Sequence, residues 1–316
     1  MNDKYIFGPV ASRRLGISLG VDLVPSKTCP LDCIYCEAGK TTVHTMERSE
    51  YIPIGEVIRQ LDEVLCDKPE LDYITFSGGG EPTLNSGLGR VVDFVKDNYP
   101  EYRICLLTNG CLLGDPEVVR EIARVDLVIP SLDATTEEEF AIINRQASGL
   151  TVDQMLAGLI SYAKVRTSKL WLEIFIAPGL NDSDAAIARF VDITEQIHPD
   201  KVQLNTLDRP GTVKGLKASD AQNTMRFIRA LENVVPVEAV GPFRYRSKKL
   251  RKKIKLGEID TRIIELISRR PATLPDIQLA LGIAIEEVKT HLEQMLKSGH
   301  ISFERLPRGD FYRVAN

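Results

Sequence analysis

The segment "KTCPLDCIYCEAG" (residues 27–39) carries three of the chain's six cysteines, Cys29, Cys33 and Cys36, within eight positions. Thiolates so spaced can hold a structural zinc, pair as disulfides, work as a redox couple, or ligate an iron–sulfur cluster. Structural zinc normally takes four protein ligands, whereas the four histidines here (His44, His198, His291, His300) are scattered. A redox couple needs only Cys33 and Cys36 and leaves Cys29 without a task. Three thiolates around a cubane cluster leave one iron without a protein ligand, a position that a small molecule can fill.

A second stretch, "TFSGGGEPTL", sets Ser77, Gly78, Gly79, Gly80, Glu81 and Pro82 in a row. Glycine permits φ > 0, so a plain strand-to-helix turn is one reading. The G-x-G-x-x-G of a dinucleotide site and the Gly-Lys-Ser/Thr of a phosphate loop are both missing. A bare backbone lets a ligand approach closely, and a carboxylate such as Glu81 complements an ammonium. More polar residues close later apolar runs: Thr108 and Asn109 in "LTNG", Ser131 and Asp133 in "PSLDA", Glu173 in "LWLEIFI", and Asn205, Asp208 and Arg209 in "KVQLNTLDRPG". Each of these can equally cap a helix or close a turn.

The C-x3-C-x2-C spacing with aromatic Tyr35, followed by the glycine-rich run, resembles the radical S-adenosylmethionine (SAM) superfamily. The resemblance implies a [4Fe–4S] cluster on Cys29, Cys33 and Cys36, with SAM chelating the open iron. It implies reductive cleavage of SAM to a 5′-deoxyadenosyl radical, which abstracts hydrogen from a substrate. It also places Tyr35 near the adenine and Gly78, Gly79, Gly80 and Glu81 on the SAM amino group. Ser131, Asp133 and Glu173 become candidate ribose and carboxylate contacts, with Asn109 and Asn205 as further SAM contacts. A radical-quenching residue, whether Cys105, Cys111 or Tyr245, cannot be chosen from sequence.

The opening "FGPVASRRLGISLGVDLVPSKTCPLDCIYCE" resembles a narrower subgroup, the iron–sulfur oxidoreductases related to the tRNA wyosine-synthesis enzyme (4-demethylwyosine synthase). Similarity runs over roughly residues 5–240 and is densest in "GPVASRRLG", "FSGGGEPTL", "APGLNDS" and "LNTLDRPG". The wyosine enzyme carries a second cluster on upstream cysteines, and no cysteine here precedes Cys29. A two-cluster mechanism with pyruvate is therefore not expected, and the electron must come from a separate flavodoxin or ferredoxin. Arg13 and Arg14 are candidates to hold an anionic substrate by charge-assisted hydrogen bonds, against a surface salt bridge as the rival reading.

The elements that must position these groups follow from periodicity. Short apolar runs at 16–23, 72–77, 102–108, 126–132, 170–176 and 201–207 alternate with helical patterns near 54–66, 86–98, 116–123, 135–166 (broken at Ser148-Gly149), 182–197 and 218–232. Strands joined by helices imply parallel pairing and right-handed crossovers. The expected α/β fold is a partial (β/α)6 TIM-like barrel over residues 1–240, with an open doubly wound sheet as alternative. Either form gathers active groups at the C-terminal ends of the strands. Residues 258–316 read as three helices (258–268, 274–281, 284–298) and a β-hairpin, the order of a winged helix-turn-helix domain.

Between these domains, the linker 241–257 contains "RYRSKKLRKKIK", with eight basic residues and no acidic one. The formal charge of −4 thus hides a remainder of about −12. Such a block suits a polyanion, so a tRNA held by linker and winged helix, with one base modified, is the leading partner. A protein, peptide or small-molecule substrate is the alternative, and an iron–sulfur transcriptional regulator a third. The third is disfavoured, because the expected recognition helix "AIEEVKTHLEQMLKSG" sets Glu286, Glu287 and Glu293 where a major groove wants arginine, asparagine or glutamine. No apolar run approaches a membrane span, and the start of the chain lacks a signal-peptide pattern. A cytoplasmic setting with reduced thiols is expected, with Cys66, Cys105 and Cys111 as buried, inert thiols.

Overall fold

The computed structural model describes residues 4–12, 14–240, 259–306 and 308–315. Arg13, Tyr245 and the basic linker 241–257 lie outside the described residues. Strand β1 (Ile6–Ser12) turns back antiparallel onto β2 (Gly16–Val21). A long loop follows, containing the two-residue strands β3 (Thr28–Cys29) and β4 (Val43–His44). The chain then alternates: α1 (Ile54–Leu65), β5 (Tyr73–Phe76), α2 (Leu88–Asn98), β6 (Ile104–Thr108), α3 (Pro116–Glu121), β7 (Leu127–Pro130). Next come a short turn α4 (Glu137–Glu139), α5 (Val152–Val165), β8 (Lys169–Phe175), α6 (Asp184–Ile197), β9 (Lys201–Asn205), α7 (Ala221–Leu231) and β10 (Val237–Val240).

The eight-stranded sheet runs β1-β2-β5-β6-β7-β8-β9-β10 in sequence order. Among the described residues every crossover steps the same way with no topological switch point, which sets aside the doubly wound alternative. The fold is α/β with a mostly parallel sheet, and seven parallel strands replace the six expected. The seventh, β10, is four residues long and among the described residues pairs with β9 alone. β1 escaped the sequence reading because Pro9 interrupts its run; proline is tolerated here because β1 is an edge strand with a register shift between Phe7 and Val10. The long helix expected over 135–166 is two pieces. A π-helical turn at Phe140–Asn144 ends with Arg145 in the left-handed region, and α5 restarts behind a Thr151–Gln154 capping box.

Period-2 alternation divides the sheet's faces. In β8, Leu170, Leu172 and Ile174 join the main core beneath the helices, while Trp171, Glu173 and Phe175 point to the other, concave side. Cys105, Leu127, Ile129 and Leu15 form an apolar floor on that side with Trp171. Above the floor lies Glu173, and at the strand ends lies Phe175 beside Tyr35.

Residues 259–315 bury a core of their own. They comprise α8 (Ile259–Arg269), β11 (Ala272–Thr273), α9 (Leu274–Leu281), α10 (Ile285–Lys297) and the hairpin β12 (Ile301–Leu306)–β13 (Gly309–Val314), with β11 pairing on β13. Gly282 terminates α9 in the left-handed conformation, φ 68°. This subdomain reaches both ends of the parallel array. Arg269 binds Asp22 after β2, while Pro271 and Asp276 meet Arg209 after β9. Among the described residues, no helix is long and apolar enough to cross a membrane.

Candidate active site

The loop after β2 carries the three cysteines, and its neighbours hold it by backbone hydrogen bonds. The Lys27 N–H donates to the Gly79 carbonyl at 2.7 Å and the Glu81 N–H to the Thr28 carbonyl at 3.0 Å. A Cβ on Gly78, Gly79 or Gly80 would run into Asp22, Ser26 or the Thr28 carbonyl. The three glycines are therefore required for the close apposition of these two loops, independently of any ligand. From the other side, the loop after β9 clasps the cysteines. The Thr212 N–H donates to Ile34 O and its hydroxyl to Cys33 O, both at 3.0 Å.

Burial raises the thiols: Cys29 is pushed up to about 12, and Cys33 and Cys36 also lie above their ordinary range. Two of them nevertheless face N–H donors suited to a thiolate. Leu31 N–H and the Asn109 amide point at Cys29 Sγ at 3.5 Å, and the Asn144 amide points at Cys33 Sγ at 3.4 Å. At Cys36 the Gly39 N–H donates to the backbone carbonyl at 3.1 Å and closes the loop. Among the described residues no three His, Cys, Asp or Glu side chains converge closely enough to grip a single metal ion. Zinc does not suit this arrangement. A cubane spreads its thiolates wider, one per iron, and the buried donors oppose the charge that such a group brings. The residues present fit a three-cysteine cluster.

Around this loop the other expected residues separate into two groups. The Tyr35 ring stacks on Phe175, with centroids 3.9 Å apart and planes 13° apart, and its hydroxyl donates to Asp133. Asp133 also accepts from the Asn144 amide at 2.9 Å and the Phe175 N–H at 3.0 Å. Burial lifts its carboxyl to about 6. Lower in the concavity, Glu173 pairs with Arg14 and accepts from the Asn205 amide at 3.3 Å. Ser131 bridges Glu173 along the backbone.

Two expectations change in this setting. Glu81 is 2% exposed. It accepts from Thr83 N–H at 3.1 Å and from the Thr83 hydroxyl, Thr108 hydroxyl and Asn109 N–H at 2.7 Å. A buried carboxylate must be so satisfied, and Glu81 thereby staples the loops after β5 and β6. Arg14 turns inward from the β1–β2 turn to Glu173, so it is neither a surface ion pair nor a free anion hook. The spare cysteines differ as well: Cys105 and Cys111 are buried as expected, but Cys66 caps α1 and is exposed.

Sequence reasoning missed Asn144, which links Cys33 to Asp133, because nothing in "AIINRQ" marks a π-helical turn. It also missed the union of Arg209 with Glu37, the residue after Cys36. Both depend on contacts between segments far apart in the chain.

Comparison with known proteins agrees with this geometry. The family model "Radical SAM superfamily" matches residues 23–191. A UPF0026 protein of Helicobacter pylori (strain J99) is 31% identical over 316 residues, covering 98% of both chains. A Brachyspira hyodysenteriae protein named GTPase Obg is 34% identical over 304 residues, and the match spans 96% of this chain but 44% of that one. Among solved structures, a radical SAM methyltransferase from Sphaerobacter thermophilus superposes with a TM-score of 0.57 at 18% identity, covering 72% of this chain and 67% of that one. The finer kinship with wyosine synthesis is not carried by these matches. A cluster-shaped loop, a sequentially ordered parallel sheet and a model match spanning both motifs lead to one conclusion: the chain belongs to the radical SAM superfamily, beside the UPF0026 proteins.

Proposed function

We propose that the protein is a radical SAM enzyme that abstracts hydrogen from a base of tRNA. Its cofactors are a [4Fe–4S] cluster and SAM. Bound together and supplied with one external electron, they would supply reductive cleavage of the SAM sulfonium, releasing methionine and a 5′-deoxyadenosyl radical. Cys29, Cys33 and Cys36 hold the cluster. The observation that carries this reading is the set of three half-buried thiols, with N–H donors aimed at Cys29 and Cys33, at the C-terminal ends of a sequential parallel sheet.

For SAM, we assign the carbonyl edge of Gly78 to Gly80 and the residues Asn109, Ser131, Asp133, Glu173 and Asn205. Tyr35 and Phe175 form a stacked aromatic wall, with Asp133 fixing the phenol. Asn205 and Arg14 orient the Glu173 carboxylate. Glu81 acts indirectly by locking Thr108 and the Asn109 backbone. The apolar floor of Leu15, Leu127, Ile129 and Trp171 excludes water from below.

A tRNA substrate is supported by the basic run 244–255 and by the order of three helices and a hairpin, which we read as a winged helix beside the site. In α10, His291 is engaged with Asp260, and Glu286, Glu287 and Glu293 remain unsuited to a DNA groove. A cytoplasmic flavodoxin or ferredoxin is the proposed electron donor. Incubating the reconstituted enzyme with SAM, reductant and bulk tRNA, then digesting the RNA for mass spectrometry of nucleosides, tests the substrate. A new nucleoside mass that requires SAM supports the proposal. Turnover with peptide or small-molecule pools and none with tRNA would redirect it.

A further inference from the structure

Lys27 opens the cysteine loop in the left-handed region, φ 70°. Its backbone is fixed on both sides: the N–H donates to Gly79 at 2.7 Å, and the carbonyl accepts from Thr42 and Val43 at 3.0 and 2.9 Å. This pins the side chain inward. Its Nζ lies under the loop, 3.0 Å from where a Cβ on Gly39 would stand. The ammonium is buried and has no hydrogen-bond partner among the described residues.

A buried, unpaired ammonium is costly, because lysine is only a donor and has left water behind. Burial works against its charge, and the titratable groups nearest to it are Cys36 and Asp32. Asp32 is already engaged, accepting from Thr41 N–H at 2.7 Å with Arg145 at 3.9 Å. Glu37, next along the chain, pairs with Arg209. Cys36 is the group left for Lys27 to face, and a thiol gives an ammonium little. A thiolate bound to a cluster gives it much more.

Three thiolates on an oxidised four-iron core carry a single net negative charge, and one-electron reduction adds a second. A fixed cation nearby favours the more negative state. We propose that Lys27 is a positioning residue that serves as counter-cation to the cluster and makes it easier to reduce. The electron comes from an external one-electron reductant, which is oxidised by one equivalent.

The inference rests on the cluster assignment, and the test separates the two. Wild type, Lys27→Met and Lys27→Arg would be reconstituted anaerobically, checked for iron and sulfide content, and titrated by EPR of the reduced cluster against a graded titanium(III) citrate potential. The expected result is an intact cluster in all three, with the Met variant at least tenfold harder to reduce, a lowering of about 59 mV for one electron. The Arg variant should stay near wild type. Should the Met variant hold no cluster while the Arg variant does, the charge role is also supported. Equal midpoints for wild type and the Met variant overturn it, as does loss of the cluster in both variants, which would mark a purely steric role. A wild type that takes up no four-iron cluster refutes the cofactor assignment and the proposal with it.

Discussion

Arg209 is 4% exposed and joins three parts of the molecule. Its Nη1 donates to the Pro271 carbonyl at 2.8 Å and lies 3.5 Å from Asp276, while its Nε lies 3.3 Å from Glu37. Asp208 and Asp276 are further tied to Arg308, at 3.3 and 2.6 Å. Arg209 thus latches the C-terminal subdomain to the cysteine loop beside Glu37. Arg209→Ala takes a cationic partner from Glu37, Asp208 and Asp276 at once. Removing one partner from a buried ion network costs about 3–5 kcal/mol, because the remaining charges stay out of water. With each kcal/mol worth about 2–4 °C in a large domain, Tm should fall by at least about 6 °C. Arg209→Lys should fall as well, since a lysine cannot fork between a carbonyl and two carboxylates. Arg124→Ala is the control, because its pairs with Asp93 and Asp97 are solvent-exposed and worth about 1 kcal/mol or less. Differential scanning calorimetry on the three variants decides. An Arg209→Ala midpoint within about 1 °C of Arg124→Ala would refute the latch.

Two further outcomes follow from the same geometry. Gly211→Ala places a Cβ 2.7 Å from Ile34 O and 2.8 Å from Tyr35 Cα, both backbone atoms unable to give way. Iron uptake on reconstitution should drop by more than half, whereas Gly55→Ala, in open space on α1, should load fully; equal iron content would show that the clasp is dispensable. The Asp133 carboxyl sits at about 6 against an ordinary 3.8, so the stability tied to its proton is complete below 3.8 and lost as pH rises through about 6. A shift of this size is worth about 3 kcal/mol. Asp133→Asn should therefore gain that much relative to wild type between acid and neutral pH in urea unfolding, and parallel pH curves would show that the carboxyl is not held high.

The strands carrying the site were legible because each is a short apolar run ending in a polar residue, and β8 shows why. Its alternate leucines and isoleucine serve the helices, while Trp171, Glu173 and Phe175 serve the concave side. The cysteine spacing and the glycine run were legible because both motifs are local. β1 was hidden by Pro9, and β10 by its brevity. The inward turn of Arg14 was illegible for another reason: a charged residue in a turn reads as surface until the partner, Glu173, is brought over it. The contacts of Glu81 were illegible as well: two threonine hydroxyls and a backbone amide meet its carboxylate, and they come from a neighbouring loop as well as its own. Lys27 and Asn144 carry no local pattern, and their roles exist only once the cysteine loop is folded against Gly79 and the π-helical turn.

The central claim, that the three-cysteine loop supports reductive cleavage of SAM, is tested most directly by product. After anaerobic reconstitution with iron and sulfide, wild type and Cys33→Ala would be given SAM and dithionite, and 5′-deoxyadenosine measured by chromatography. The account predicts 5′-deoxyadenosine from wild type and none above background from the variant. Equal product from both, or a full four-iron cluster that cleaves no SAM even with tRNA and cell extract present, would contradict it.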